Sequence, residues 1–270
     1  DWLPMWLQGM FVPLASKDVW EAFYRKDLAK RLLWNRVVNI DIEKQVCSLL
    51  KAECGAAYTA KMEGMFQDID LSRETIMVYK QSQEQEARRL VEMDVQILTT
   101  GYWPMYPQFP NLNLPGALLQ EQQRFDAHYQ KKCTGRRIKW QYALGHCIVK
   151  ANGFNKPYDF VVSLCQALVL LQFETDETEL TIKQLQLAVG LNDRAEMERI
   201  LQSLALGKEG TRILRKTDTD RAAKPRMTVH DDDVFSIQKD FTSNQRRIRI
   251  NNIIVKNTKE DKNTTLSSLT

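Results

Sequence analysis

Histidine and cysteine are scarce and scattered in this sequence, which argues against metal centres and disulfide frameworks. The chain contains 3 His and 5 Cys among its 270 residues, and no two cysteines form a C-x-x-C pair. A structural zinc site needs four Cys or His ligands, usually in close pairs. An odd set of scattered cysteines is typical of reduced thiols rather than of secreted disulfides. We therefore expect buried thiols, no metal and no cofactor.

Long hydrophobic runs and a strong charge of one sign are also missing. No apolar run reaches the roughly 18 residues of a membrane span. The apolar residues 1–14 are broken by Pro4, Gly9 and Pro13 and carry no basic residue, unlike a signal peptide. The net charge of +4, from 38 Lys+Arg against 34 Asp+Glu, is too weak to indicate nucleic-acid binding by itself.

The common catalytic motifs are absent as well. The sequence has no Gly-rich phosphate loop, no H-E-x-x-H and no G-x-S-x-G motif. A thiol nucleophile at Cys147 is disfavoured, because its neighbour His146 would point to the opposite face of a strand. The acidic residues 231–233 lie in loop sequence, where a solvated turn is the simpler interpretation than a metal site. We predict neither catalytic nor metal-binding residues.

Apolar residues at helical spacing predict four consecutive helices, a pattern typical of a bundle. The first runs from about Lys17 to Leu33 after a Ser16 cap, the second opens at Asp41, and a fourth starts at Ser72. We assign residues 1–90 to this helical bundle. The predicted inward residues are Trp20, Phe23, Tyr24, Leu28, Leu32, Ile42, Val46, Leu49, Leu50, Tyr58, Met62, Met65, Phe66 and Ile69.

The hydrophobic period then changes to two, which indicates strands. Residues 91–97 and 138–144 alternate between apolar and polar, and strands at 147–151 and 158–162 flank a turn at Asn152-Gly153. A helix between Pro115 and Gly135 and a buried helix ending at Phe173 complete the pattern. We predict an α/β domain with an incomplete sheet at residues 91–175.

A winged-helix pattern follows, with two short helices and a two-stranded wing. Thr181 and Gln184 form a capping box, and the first helix stops at Gly190. The wing strands are predicted at 213–214 and 248–250, with a polar loop at 218–233. The predicted fold class is α+β and mainly helical: a four-helix bundle, a small α/β domain, then a winged-helix-like element at 176–256. A disordered tail is predicted at 257–270.

Five strings, in this order and spacing, resemble the cullin family, closest to its cullin-4-like branch and next to the type-three cullins. The resemblance runs from about Lys17 to Lys256. The strings are DVWEAFYRKDLAKRLL at 18–33, LKAECGAAYTAKMEGMFQDIDLS at 50–72, VQILTTGYWP at 95–104, GRRIKWQYALGHCIVKA at 135–151 and LQSLALGK at 201–208.

The resemblance implies a non-catalytic scaffold of a cullin-RING ubiquitin ligase in the cytoplasm and nucleus. In that family a RING-box protein adds a strand to the α/β sheet and recruits a ubiquitin-conjugating enzyme, and cullin regulators are further partners. Neither nucleic acid nor a membrane is expected as a partner. The implied RING-box contacts are Val95, Ile97, Arg137, Ile138, Lys139, Trp140, Gln141 and Tyr142.

A basic surface on the first helix is the second implied site. Arg25, Lys26, Lys30 and Arg31 would attract the acidic tail of a ubiquitin-conjugating enzyme. A solvated helical face explains the same residues, with Lys30 and Arg31 favourably placed at a helix C-terminus. Both interpretations stay open at the level of sequence.

Some parts of the chain depart from the family pattern. Residues 1–16 and WNRVVN at 34–39 do not follow it, and neither the long stalk nor the final winged-helix domain is recognised. The acceptor lysine for the modifier NEDD8 belongs to that last domain. We therefore expect no NEDD8 acceptor in this chain, and Lys256 should not be taken for one.

The rival hypothesis is a winged-helix nucleic-acid-binding protein. Arg246, Arg247 and Arg249 would then form a basic patch beside the wing. Alternate strand residues that face water explain these arginines equally well, and the second short helix adds only Arg194 and Arg199. The scaffold hypothesis is therefore preferred.

Overall fold

The fold was analysed in a computed structural model. It describes residues 5, 9, 11–34, 39–82, 91–173, 178–208, 210–217 and 228–251. The chain divides into two compact units. The first contains the described residues up to Met105 together with 120–134, and the second contains 106–119 and the described residues from Gly135 onwards. The domain boundaries at 90, 175 and 256 stay predictions.

Helices build the first unit. They are α1 (Lys17–Leu33), α2 (Ile40–Cys54), α3 (Ala56–Ser82) and α4 (Gly116–Lys132), of which α4 belongs to this unit from Gln120 onwards. None of the described helices combines the length and the apolar composition that crossing a membrane requires. The chain thus has the predicted α+β, mainly helical character, with helices first and small mixed sheets after them.

The predicted helix start at Ser72 is wrong, because α3 continues through this residue without a break. Ser72 is buried, and its hydroxyl donates to the Asp68 carbonyl at 2.6 Å, so the serine is satisfied inside the helix and caps nothing. Between residues 17 and 82 the described residues therefore form three helices. The fourth helix of the unit is α4, whose Phe125 ring lies 5.2 Å from that of Tyr79.

Most of the predicted inward residues of the helices are buried or half-buried, with two exceptions. Phe23 is 58% exposed and Ile42 is 41% exposed. Trp20 and Tyr24 stack at 4.7 Å on the inward face of α1, and Phe23 is rotated from that face by about 100°. The start of α2 also differs from the prediction, because Asn39 is its cap and accepts from the Asp41 N–H at 2.8 Å.

The segment 91–98 forms no strand, although its residues alternate between half-buried and exposed as predicted. Its hydrogen bonds go to side chains of α3 instead of to another strand. The Ile97 N–H donates to the Ser72 hydroxyl at 2.8 Å, and that hydroxyl also lies 3.1 Å from the Ile97 carbonyl. The alternation at 91–97 correctly predicted which residues are exposed, but it wrongly predicted pairing with another strand.

A buried carboxylate holds the next stretch of chain on α3. Asp68 accepts from the Thr99 N–H at 2.7 Å, from the Thr99 hydroxyl at 2.8 Å and from the Trp103 indole N–H at 2.7 Å. Beside it, Gly64 lets the Tyr102 ring approach the helix, because a Cβ at Gly64 would lie 2.5 Å from that ring. The GYWP string is therefore an anchor.

The described residues of the second unit form two three-stranded sheets. In the first sheet, β1 (His146–Ala151) pairs antiparallel with β2 (Tyr158–Ser163), and β6 (Arg247–Arg249) pairs in parallel with β2. Ser163 caps α5 (Leu164–Leu170), whose seven residues are all buried. The predicted strand at 138–144 is wrong, since 136–141 have no regular structure and Tyr142–Leu144 form one 3-10 turn.

The second sheet belongs to the winged-helix-like element. It follows the order β3 (Leu180–Thr181), β5 (Val234–Ile237), β4 (Leu214–Thr217), with α6 (Ile182–Val189) and α7 (Arg194–Ala205) before β4 in the chain. The Thr181–Gln184 capping box is confirmed.

The predicted wing partner at 248–250 is wrong, because Ile248 lies on β6 of the first sheet and β5 takes its place. The nucleic-acid hypothesis requires Arg247 and Arg249 to lie beside the wing strands. They lie instead on β6, in the other sheet. Of the predicted polar loop, residues 218–227 lie outside the described residues, and so do most of residues 1–10 and the tail at 257–270.

We predict that Asp68→Ala lowers the free energy of unfolding by about 3–5 kcal/mol, because it leaves buried donors without an acceptor. Asp70→Ala is the matched control, two residues further along α3. Asp70 forms only exposed ion pairs with Lys44 and Arg73, so its loss should cost about 0–1 kcal/mol. Urea unfolding followed by tryptophan fluorescence measures both, and equal losses would contradict the anchoring role.

A second prediction concerns His128 on α4. Burial of the ring, together with the positive charges of Lys132 and Lys131, lowers the pKa of His128. The ring packs edge-on against Tyr79 at 5.1 Å, and its Nε2 is buried without a hydrogen-bond partner among the described residues. A lowered folded-state pKa contributes stability above the ordinary histidine pKa, and this contribution is lost as the pH falls through the folded-state value.

The free energy of unfolding should therefore decrease from about pH 7 to about pH 5, and by less in His128→Gln. Denaturant unfolding at several pH values measures the difference, and an identical slope for His128→Gln would refute the assignment.

Candidate protein-binding site

The strand β1 forms an open edge of the first sheet. Its register pairs Cys147 with Val162 and Val149 with Phe160. The Leu164 N–H donates to the Gly145 carbonyl at 2.8 Å in the same register, so alternate residues starting at Gly145 face β2. The N–H and C=O groups of His146, Ile148 and Lys150 therefore point away from β2, where no other described strand pairs with them.

The side chains of β1 also alternate, with one set facing the core and the other facing solvent. Cys147, Val149 and Ala151 pack against the core of the unit. His146 and Lys150 are exposed, and Ile148 is 52% exposed. An edge with one apolar face and with outward backbone groups at Ile148 and Lys150 can bind an extended segment of another chain, which adds as a further strand. This edge is the clearest candidate site in the described residues.

The approach to β1 is fixed within the second unit. The Gln108 side-chain amide donates to the Gln141 side-chain oxygen at 2.6 Å, and the Gln141 amide donates to the Pro107 carbonyl at 3.0 Å. Gly145 then passes close to α5, since a Cβ there would lie 2.9 Å from the Leu164 Cβ. These contacts hold the start of the edge strand in place.

The predicted RING-box residues lie in two groups, one in each unit. Residues 137–142 precede β1, with Arg137 and Lys139 exposed. Val95 and Ile97 are half-buried in the first unit, and both backbone groups of Ile97 are bonded to Ser72. The residues predicted individually end at Tyr142 and do not include the edge residues of β1, although the segment 135–151 was expected to flank the added strand. The alternation in HCIVKA could have found them, because it predicts which side of the strand faces water.

In the predicted basic surface of α1, both arginines lie against acidic side chains and both lysines are exposed. Arg31 donates to both Glu43 carboxylate oxygens, at 2.6 and 2.9 Å, and lies over the Tyr24 ring at 5.4 Å. Burial and the hydrogen bond to Glu43 raise the pKa of Tyr24. Arg25 lies 3.2 Å from Glu21 without hydrogen-bond alignment. Lys26 and Lys30 are exposed one turn apart, and Lys30 forms an exposed ion pair with Asp27 at 3.1 Å.

Cys147 and the acidic residues 231–233, which were considered as catalytic or metal-binding candidates, take part in ordinary packing and ion pairs. Burial raises the pKa of the Cys147 thiol, which is the opposite of what activates a nucleophile. Asp231 pairs with Lys183 at 2.9 Å and with Arg194, and these bonds lower its pKa. Asp233 is buried beside Lys216 at 3.0 Å. No group of three or more His, Cys, Asp or Glu in the described ranges is arranged to hold a metal.

The fold and the site define a mainly helical α+β protein with an open sheet edge for a partner. Residues 97–241 match the family model described as the cullin alpha+beta domain, which is more than half of the chain. Residues 9–76, with α1, α2 and most of α3, match the cullin alpha solenoid domain. The chain belongs to the cullin family, which confirms the recognition from sequence.

Curated relatives agree with this assignment. The chain is 41% identical over 253 residues to Cullin-4A of Mus musculus, covering 93% of this chain and 32% of the relative. It is 38% identical over 212 residues to Cullin-4 of Dictyostelium discoideum, covering 78% and 26%. It is 34% identical over 260 residues to Cullin-3A of Arabidopsis thaliana, covering 95% and 34%. The chain thus spans between about a quarter and a third of the length of these relatives.

Proposed function

We propose that this chain is a non-catalytic scaffold segment of a cullin-RING ubiquitin ligase in the cytoplasm and nucleus. It binds a RING-box protein through its α+β unit and positions a ubiquitin-conjugating enzyme for protein ubiquitination. Membership of the cullin family supports the class of activity. The observation that carries the proposal is the open edge of β1, because a scaffold without catalytic groups acts through the surfaces that it offers to partners.

Strand addition explains why this edge is suited to a RING-box protein. Ile148 and Lys150 direct their backbone N–H and C=O groups outwards, and an added strand satisfies them through main-chain hydrogen bonds. The side chains of Cys147, Val149 and Ala151 meanwhile offer an apolar face that the added strand extends. The predicted contacts at 137–142 immediately precede this strand in the chain, so they are proposed to flank the incoming segment.

We predict that Ile148→Pro weakens binding of a RING-box protein at least tenfold. Proline removes one outward N–H, and it spares the ladder to β2 because Ile148 does not bond to that strand. Ile148→Thr keeps the N–H, keeps a β-branched side chain and serves as the matched control, which should bind like the unmodified chain. Co-expression with a RING-box protein, followed by size-exclusion chromatography and titration, measures the affinities.

Thermal unfolding separates this effect from misfolding. Ile148→Pro should unfold within a few degrees of Ile148→Thr, since both substitutions are at an exposed edge position. If a folded Ile148→Pro chain binds its partner normally, the edge is not the binding site. If neither the control nor the unmodified chain binds, the scaffold function itself is wrong.

The exposed lysines of α1 are proposed to attract the acidic tail of the conjugating enzyme. Exposed charges contribute little to stability, but they increase encounter rates with an oppositely charged partner. Lys26 and Lys30 are available for this role because both are exposed, and the Lys30 pair with Asp27 is itself exposed. Arg25 and Arg31 are instead half-buried beside Glu21 and Glu43. This narrows the predicted basic surface to two residues.

We predict that the double change Lys26→Glu and Lys30→Glu slows ubiquitin-chain synthesis several-fold at low salt, with RING-box binding unchanged. The defect should shrink at high salt, because the Debye length falls from about 10 Å at 0.1 M to about 3 Å at 1 M. Lys61→Glu with Lys208→Glu is the control, since it makes the same change in net charge at exposed positions. Equal rates for the two double variants in a reconstituted ubiquitination assay would assign the lysines to an ordinary solvated face.

A further inference from the structure

The outer face of the first sheet is a surface that the proposed RING-box site does not use. Two rows of side chains cross its three strands. In one row Ile148 lies opposite Val161 and Val161 opposite Arg249, and in the other Lys150 lies opposite Asp159 and Asp159 opposite Arg247. The residues between these rows, such as Phe160 and Ile248, are buried on the inner face.

The charge of this outer face is mainly positive. Lys150, Arg247 and Arg249 are exposed, and Arg246 precedes them in the chain. Asp159 is the acidic member of the six positions, and no ion pair joins it to its neighbours within the described part of the chain. The aliphatic pair Ile148 and Val161 adds an apolar patch directly beside Arg249.

The chemistry of this face fits carboxylates better than nucleic acid. An arginine guanidinium binds a carboxylate through two parallel hydrogen bonds. Single-stranded nucleic acid on a sheet is instead held largely by bases that stack on aromatic side chains. The six outer positions contain aliphatic and charged residues and no aromatic ring. A protein segment with acidic and aliphatic side chains matches this composition.

We propose that the outer face of the first sheet docks an acidic, partly aliphatic segment of a partner protein, with its carboxylates on Arg247 and Arg249. These two residues are separated by one position on β6, which places them about 7 Å apart along the strand. Carboxylates on every second residue of an extended segment have the same spacing. Aliphatic residues on the same side of that segment as the carboxylates contact Ile148 and Val161, where the segment crosses from β6 towards β1.

The surface is small, so binding should be weak and dependent on salt. The proposal does not rest on RING-box binding, because the arginines lie on β6 and the open edge lies on β1, at the opposite side of β2. A segment that merely adds to the β1 edge would be indifferent to the β6 arginines. This difference allows the two sites to be tested separately.

The test uses the 270-residue chain and three fluorescent probes in polarisation titrations. The probes are an eight-residue peptide with Glu at its first and third positions, Val at its fifth and seventh and Ser at the others (the Glu-Val peptide), the same peptide with Gln in place of Glu (the Gln-Val peptide), and a single-stranded oligothymidylate of equal length. The Glu-Val peptide should bind, and Arg247→Gln with Arg249→Gln should weaken it about fivefold to tenfold. Lys61→Gln with Lys208→Gln, which removes the same charge elsewhere, should change the affinity less than twofold.

Three results would overturn the proposal. One is the absence of Glu-Val binding at low salt, and another is equal affinity for the Gln-Val peptide. The third is tighter binding of the oligothymidylate that is lost in the same arginine variant, which would make the face a nucleic-acid surface. Size-exclusion chromatography and thermal unfolding of each variant ensure that only folded, monodisperse protein is compared.

Discussion

The buried carboxylate of Asp68 determines the path of the chain through the first unit. A charged group can be buried when several donors satisfy it, and Asp68 has the backbone and hydroxyl of Thr99 and the indole of Trp103. Together with Ser72, it replaces a strand ladder, so that an extended segment follows a helix closely without any sheet. The chain that leaves this anchor becomes α4, which contributes the fourth helix of the unit.

The second unit depends on a different constraint, the period of two in a β-strand. On β1 the same residues that direct their backbone groups to the open edge also place their side chains on the outer face. The side chains of His146, Ile148 and Lys150 therefore face solvent, and their backbone groups face the open edge. A single strand thus separates an apolar inner face from two surfaces that partners can reach.

Local signals in the sequence predicted local structure well. The bounds of α1 were correct, although the predicted Ser16 cap makes no side-chain hydrogen bond. The Thr181 capping box and the stop at Gly190 were also correct, because caps and glycines with positive φ act within a few residues. Alternation at 91–97 predicted exposure but not pairing, because a ladder also needs a partner that the segment itself does not specify. At 138–144 the exposure differs as well, since residues 140–144 are all half-buried. The strand β5 was not predicted, because it directly follows the acidic residues 231–233, which were assigned to a loop. The strand β6 was predicted, but in the wrong sheet. For the site, the hairpin strand was predicted, but its free edge follows only from the register.

The parallel pairing of β2 with β6 has a consequence for how the chain folds as it is synthesised. Asp159 pairs with Arg247, which is 247 − 159 = 88 residues later. At about 5–20 residues per second, a ribosome needs on the order of 4–18 s to cover that distance. During this interval both edges of the β1–β2 hairpin are open, and its apolar inner face lacks β6. The nascent second unit is therefore a natural substrate for chaperones, and a chain interrupted before β6 would expose an additional template for aggregation.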